Sequence, residues 1–304
     1  MRIGLRLPKA LFADGRALRA AVRTAEEGGL SQLSVGDHVT FHGGQGDDGL
    51  VQAAAMAAIA ERIEVAVSVL QLPLRHPVPL ARQVQNVARL AAGGFVLGIG
   101  VGGEDRHEVE SCGVDPATRG RRTDESLAIL RPLLAGESVS FAGEHFTIDD
   151  VQVLPPPPRP VPIVVGGRSD AALRRAARHG DGWLGVWISA TRFAAALEQV
   201  DALAAAAGRT NVAWRHGLQV WCGFGPEVAS ATATLAAEME RLYALPFERF
   251  AKWCPAGPPE LVAEHVAAYA EAGASDVNLI AIAATSPEAT EGAIAVRQLI
   301  GDES

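Results

Sequence analysis

Apolar, β-branched runs recur along the chain at 2–7, 32–36, 63–70, 95–101, 162–165, 182–187, 212–223 and 276–283, separated by alanine-rich stretches of helical period. The alternation predicts eight βα units around a parallel sheet. Most runs are apolar at nearly every position, as strands covered on both faces must be: helices lie outside, and inside is the core of an α/β barrel. The intervening stretches carry the 3.6-residue period, with Leu80, Val84, Val87 and Ala91 on one helical face and Val262, Val266, Tyr269 and Gly273 on another. Three segments interrupt the pattern. Residues 39–49, rich in Gly and Asp, predict a mobile loop. Residues 138–160 predict a short hairpin turning at Gly143, followed by a stiff return through Pro155 to Pro158. Residues 226–259 carry a helix and then Phe247, Phe250 and Trp253, the bulk of a lid. None reaches domain length, so 1–304 is expected to be a single domain with insertions.

Composition narrows the partners. The chain has 304 residues, 48% hydrophobic and 20% charged, which is globular rather than disordered. Lys and Arg total 27 against 35 acidic residues, a net charge of −8, so no global basic surface exists for nucleic acid or an anionic membrane. An anionic ligand therefore needs a local site. Cys112, Cys222 and Cys254 form no CxxC pair, which predicts reduced thiols in a cytoplasmic protein. Arg2, Arg6 and Lys9 interrupt any leader-like run, and no apolar stretch reaches the roughly 18 residues of a membrane span. Lys9 and Lys252 are the only lysines, a bias toward arginine typical of GC-rich, actinomycete-like genomes.

Candidate chemistry sits where the strands end, since barrel active sites form at that face. Asp37 and His38 follow the second strand; a histidine there shuttles protons near neutral pH and a neighbouring carboxylate biases its charge, unless the pair merely caps a turn. His42 lies four residues further on, but a glycine-rich loop intervenes and no metal site is expected. Gly98-Ile99-Gly100-Val101-Gly102-Gly103 satisfies G-x-G-x-x-G, yet three βα units precede it, whereas a dinucleotide fingerprint opens its domain. Two roles remain: close approach of a flat cofactor at Gly100 and Gly102, or tight packing at the barrel mouth. Val164-Val165-Gly166-Gly167-Arg168-Ser169 leads from the fifth strand into a helix that Ser169 can cap. Such an end binds phosphate, and Arg168 adds local positive charge unless it is an ordinary surface arginine. No G-x-S-x-G, P-loop or HExxH is present, so hydrolase, NTPase and zinc-protease functions lack support.

Taken together, several stretches resemble the bacterial-luciferase-like family of flavin and deazaflavin oxidoreductases. They are Ala25-Glu26-Glu27-Gly28-Gly29-Leu30 with Val35-Gly36-Asp37-His38, Ile63 through Leu70 with Pro73-Leu74-Arg75-His76-Pro77, and Phe95 through Gly102. Arg119-Gly120 with Asp124-Glu125 and Leu127 continue the match, as do Val165-Gly166-Gly167 and Gly180-Asp181-Gly182-Trp183. Where relatives often carry Gly-Gly-Arg-Phe, this chain has Gly93-Gly94-Phe95 after Ala92. The resemblance implies a TIM barrel, a cofactor across the strand ends with its phosphate near Gly166 and Gly167, and a non-prolyl cis peptide at Ser68-Val69 behind the ring. It also implies that His38 stands beside the reacting carbon, with an acid after the fourth strand near Glu104, one residue late in this chain.

The resemblance implies a coenzyme F420-dependent oxidoreductase moving a hydride to or from a small organic substrate. The alternatives are an FMN-dependent monooxygenase and a non-catalytic flavin-binding protein. Family members commonly pair through barrel helices, and the small residues of the 50–60 helix allow close approach, so a homodimer is expected.

Overall fold

The computed structural model describes residues 1–103 and 105–301. Eight parallel strands close on themselves: β1 (Arg2–Arg6), β2 (Gln32–Val35), β3 (Glu64–Gln71), β4 (Phe95–Gly100), β5 (Ile163–Gly166), β6 (Gly182–Val186), β7 (Gly217–Phe224) and β8 (Asp276–Ile282). Each pairs with the next in sequence, and β8 returns to β1 through Ile3 opposite Val277, so the sheet has no open edge between first and last strand. This is the expected TIM barrel. Seven of the eight predicted strands agree with the structure to within a residue at each end. The exception is the 212–223 run: β7 begins only at Gly217, because Asn211 turns the chain in the left-handed region and Trp214 stacks on His216 and beneath the Arg209 guanidinium instead of joining the sheet.

Outward strand positions and the helices form the main core. Leu80, Val84, Val87 and Ala91 are buried there as the period predicts, the helix Pro77–Leu90 starting with His76 as cap and proline in its first turn. Val262, Val266 and Tyr269 are buried likewise, whereas Gly273 lies beyond its helix at φ 94°, ending it. The 138–160 insertion is the expected hairpin, Val139–Ala142 against Thr147–Val151, with the Gly143 N–H donating to the Phe146 carbonyl at 2.9 Å. The 39–49 segment is not an unstructured loop. Residues His38–Thr40 pair with Gln45–Asp47, because the positive φ of His42, Gly43 and Gly44 closes a tight turn between them. In the 226–259 insertion, the helix Val228–Tyr243 and the aromatic residues after it bury Leu235, Met239, Phe247 and Phe250 against Trp221 of β7 and Ile280 of β8.

Inside the barrel the layering is different. The N-terminal end is closed by ions: Arg215 forks onto Glu64 at 2.7 and 2.8 Å and reaches Asp276 at 3.1 Å, while Arg2 meets Asp276 at 2.7 Å. Above lies a small apolar layer of Ala66, Val96, Val164 and Leu184 with Val69 against it. Register between β3 and β4 slips between Val67 and Leu70, one extra residue on β3, and there the Ser68-Val69 peptide is cis. The bulge brings Val69 inward as well as Ser68. A Cβ at Gly100 would stand 2.5 Å from Val69 Cγ2, and one at Gly166 would stand 3.0 Å from Val69 Cγ1. These glycines make room for Val69.

Gly100→Ala is therefore expected to cost about 1–3 kcal/mol, the usual penalty for overpacking. The double variant with Val69→Ala should recover most of that loss in chemical denaturation; additive losses would show that Val69 is not the obstacle.

Candidate active site

The C-terminal end of β2 delivers Asp37 and His38 as predicted, but the two residues do different things. The Asp37 side chain is fully buried. Its carboxylate accepts both Arg75 Nη1 and Nη2 at 2.7 Å, the Gly49 N–H at 2.9 Å and the Gln71 N–H at 3.0 Å. Every lone pair is used within the protein, so Asp37 does not offer its carboxylate to a cofactor, and the expected ligand contact there is corrected to an anchor. The anchor ties the end of β2 to the end of β3 and to the start of the helix Gly49–Ala57. Arg75 also reaches Asp48, the cap of that helix, at 3.1 Å. The Asp37 and Asp48 charges raise the Arg75 pKa despite burial, which lowers it.

The carboxylate that addresses His38 comes from elsewhere. Glu108, 1% exposed on the short helix Arg106–Ser111, receives His38 Nδ1 on Oε2 at 3.0 Å, and its Oε1 accepts the N–H groups of Val39 at 2.6 Å and Thr40 at 3.2 Å. Burial opposes ionisation, but the hydrogen bond and charge of His38, the Gln71 amide and the Val39 N–H outweigh it and hold the Glu108 carboxyl down to about 2. An ionised Glu108 fixes the proton on Nδ1, leaving Nε2 of the 31% exposed ring as the nitrogen that can exchange a proton with a ligand. Gln71 completes the support, its Nε2 donating to the Asp37 carbonyl at 3.2 Å beside the imidazole. Phe41 lies against the ring with centroids 4.2 Å apart.

Glu104, the acid expected near this histidine, lies outside the described residues. Glu108 was missed, although Asp105-x-x-Glu108 has the spacing of a helix start, with Asp105 as its cap. Gln71 carried no signal beyond its place at a strand end.

His38 lines a cavity of about 310 Å³ with Arg6, Lys9, Phe41, Trp221 and Ile280. Gly102 stands above the site at φ 65°, where a Cβ would come within 2.2 Å of Gln71 Oε1. So Gly100, Gly102 and Gly166 are explained by Val69 and Gln71, and the packing alternative accounts for the lack of side chains at those positions. Gly167, at φ 124°, needs to be glycine for its backbone, and its carbonyl accepts Trp183 Nε1 at 2.7 Å. Ser169 caps the ten-residue helix Asp170–His179, its hydroxyl accepting the Ala172 N–H at 3.3 Å. Arg168 is exposed at this turn, with its guanidinium over the Trp187 ring at 5.5 Å. Uncommitted first-turn N–H groups, a positive helix end and a guanidinium suit a phosphate-bearing cofactor. The structure thus gathers Asp37, His38 and Gly102 around Gln71, and Ser68, Val69, Gly100 and Gly166 around the bulge. Gly167 and Arg168 lie at the end of β5, outside the His38 cavity.

Known proteins agree with this barrel. The sequence profile of luciferase-like monooxygenases matches residues 4–251, and the chain belongs to that family of oxidoreductases. An F420-dependent glucose-6-phosphate dehydrogenase of Kineococcus radiotolerans is 30% identical over 90% of this chain and 89% of its own length. Uncharacterised proteins of Mycobacterium bovis and Mycobacterium tuberculosis are 43% identical over 135 residues, so the chain spans about half the length of these relatives. Among solved structures, an F420-dependent secondary alcohol dehydrogenase superposes with a TM-score of 0.85 over 99% of each chain at 19% identity. A type II Baeyer-Villiger monooxygenase component from Pseudomonas putida, bound to FMN, gives 0.78 over 100% of this chain and 98% of its own at 17%. At these identities the two structures share the fold.

Because the Glu108 pKa falls from 4.5 unfolded to about 2 folded, its stabilising effect is complete above about pH 4.5 and is lost as pH drops through 2. Glu108→Gln should lower stability at pH 7 by up to about 3 kcal/mol, with the gap to wild type closing near pH 2. Urea denaturation across that range checks it; a gap independent of pH would remove the charge from the explanation.

Proposed function

We propose that the protein is a coenzyme F420-dependent oxidoreductase that moves a hydride between the deazaflavin and a small organic substrate, with FMN as the second cofactor to test. One observation carries the reading: a histidine at the barrel mouth has one nitrogen held by a buried, ionised carboxylate and the other left to a ligand cavity. That is the arrangement of a general acid–base with its tautomer fixed. The extent of likeness to the Kineococcus dehydrogenase supports the deazaflavin over FMN.

When bound, the deazaflavin supplies a ring carbon that accepts or releases hydride. The chain's own residues do the rest. His38 Nε2 takes the proton as a substrate hydroxyl becomes a carbonyl, or returns it in the opposite direction. Glu108 stabilises the imidazolium so formed and keeps the ring from rotating, acting through His38 as a positioning residue. The Ser68-Val69 bulge, with the backbone at Gly100 and Gly102, backs the ring. Gly166, Gly167 and Arg168 hold the phosphate through first-turn N–H groups of the helix Asp170–His179 and the guanidinium. Two copies of the chain assemble as a homodimer in this reading. A monomer in light scattering at micromolar concentration would remove that part alone.

Titration of the purified protein with coenzyme F420 and with FMN, followed by absorbance, tests the cofactor. Micromolar FMN binding with no response to the deazaflavin would overturn the first choice. His38→Ala should leave cofactor affinity near wild type and lower turnover about 10²–10⁴-fold, the usual contribution of a positioned acid or base. Unchanged turnover would make the histidine structural. Gly167→Val should weaken cofactor binding, while thermal unfolding shows whether the barrel still folds.

A further inference from the structure

A second cavity, of about 740 Å³, lies between the end of β6 and the helix Pro259–Glu271, and it shares no described lining residue with the His38 cavity. Trp187, the residue after β6, lines it together with Ser189, whose hydroxyl caps the helix Ala190–Ala206 by accepting the Arg192 N–H at 3.3 Å. From the facing helix the Tyr269 hydroxyl donates to the Ile188 carbonyl at 2.5 Å, which ties the two walls together. Lys252 and Trp253 complete the lining, with the Lys252 ammonium 4.2 Å from the centroid of the Trp253 ring.

Trp187 is held here against its backbone preference. Its φ is 49°, in the left-handed region that a bulky residue avoids, and packing on Phe250 and Tyr243, with centroids 4.7 and 5.2 Å away, keeps it there. Strained residues over-determined by their surroundings cluster at ligand sites. The same ring carries the Arg168 guanidinium at 5.5 Å, so this cavity adjoins the phosphate turn at the end of β5. Two of its lining side chains also bury a ring nitrogen that has no hydrogen-bond partner among the described residues: Trp187 Nε1, which only donates, and His265 Nε2. Burial lowers the His265 pKa below its ordinary 6.5, so at neutral pH the imidazole is uncharged.

We propose that this cavity binds the oligoglutamyl tail of coenzyme F420, with tail carboxylates on Arg192, Lys252 and the Trp187 indole N–H. The inference deepens the F420 reading and rests on it. FMN ends at its phosphate, whereas F420 continues from the phosphate through lactate into glutamates joined by amide bonds. With the phosphate at Gly167 and Arg168, that continuation starts beside Trp187. A glutamyl chain presents both carboxylates and amide N–H groups. Such a ligand suits a lining that sets Arg192 and Lys252 beside the Glu264 carboxylate and a neutral imidazole, where a simple anion would leave Glu264 unanswered.

Titration of the full chain, followed by deazaflavin fluorescence, compares F420 carrying no glutamate, two and five. Affinity is expected to rise about tenfold or more from the glutamate-free to the longest form at low salt, and the rise should shrink as salt is added. The double variant Arg192→Gln with Lys252→Gln changes two exposed side chains and should bring the longest form to within about twofold of the glutamate-free one, while Arg192→Lys keeps most of the difference. Trp187→Phe, which keeps a ring and removes the N–H, should cost several-fold in the glutamate-bearing forms. Equal affinity for all three lengths overturns the tail site and leaves the F420 reading standing. A full length dependence in a double variant that folds by circular dichroism overturns it as well. Failure of every F420 form to bind removes both. Length-dependent binding in a protein that transfers no hydride would keep the tail site and remove the oxidoreductase reading.

Discussion

The fork of Arg75 on the buried Asp37 carboxylate is the constraint on which the mouth of this barrel depends. A carboxylate removed from water is costly unless its lone pairs are all met, and here two guanidinium nitrogens and two backbone N–H groups meet them. The consequence is geometric. The ends of β2 and β3 and the first turn of the helix Gly49–Ala57 are drawn to one point, and His38, the next residue, has a fixed place to leave the barrel. Glu108 then fixes the ring, and in holding the Val39 and Thr40 N–H groups it fixes the following backbone as well.

Below this, the barrel has room for little. One extra residue on β3 turns Val69 into the interior, and β4 and β5 answer with glycine at positions 98, 100 and 166. A run of glycines that reads as a nucleotide fingerprint is in part the imprint of a single valine. The inner layer is thin, apolar at Ala66, Val96, Val164 and Leu184 and hydrogen-bonded beside them from Asn278 to Gln32, and the floor beneath it is the ion network of Arg2, Glu64, Arg215 and Asp276. At the floor Arg2 and Arg215 meet Glu64 and Asp276, whereas the mouth is lined by Arg6, Lys9 and Arg241 together with Asp37, Asp47 and Glu238.

The insertions complete that cavity from the side. The 38–47 hairpin supplies Phe41 and Gln45, and the helix Val228–Tyr243 supplies Leu242 with the Glu238–Arg241 pair, so the walls come from segments far apart in the chain. Aromatic packing of Trp187, Tyr243 and Phe250 carries the 226–259 insertion against the strand ends, with Trp187 and Phe250 centroids 4.7 Å apart. Bulk in that segment thus has a packing role, joining Trp221 and Ile280 to a second core.

By itself the sequence determined the barrel, because strands buried on both faces and helices with one apolar stripe are periodic signals that eight repeats make unmistakable. It also determined where to look: Asp37, His38 and the Gly166-Gly167-Arg168 turn all lie at strand ends, and the end of a strand is local information. What it could not supply was the partner of each group. Asp37 looked like a ligand and is an anchor, because Arg75 lies 38 positions away; Glu108 meets His38 across 70 positions; Arg6 reaches Gly36 across a neighbouring strand. Such pairings depend on strand register and on a bulge of one residue in β3. Only the closed barrel fixes those, since a carboxylate carries the same pattern in sequence whether its charge is spent within the protein or kept for a ligand.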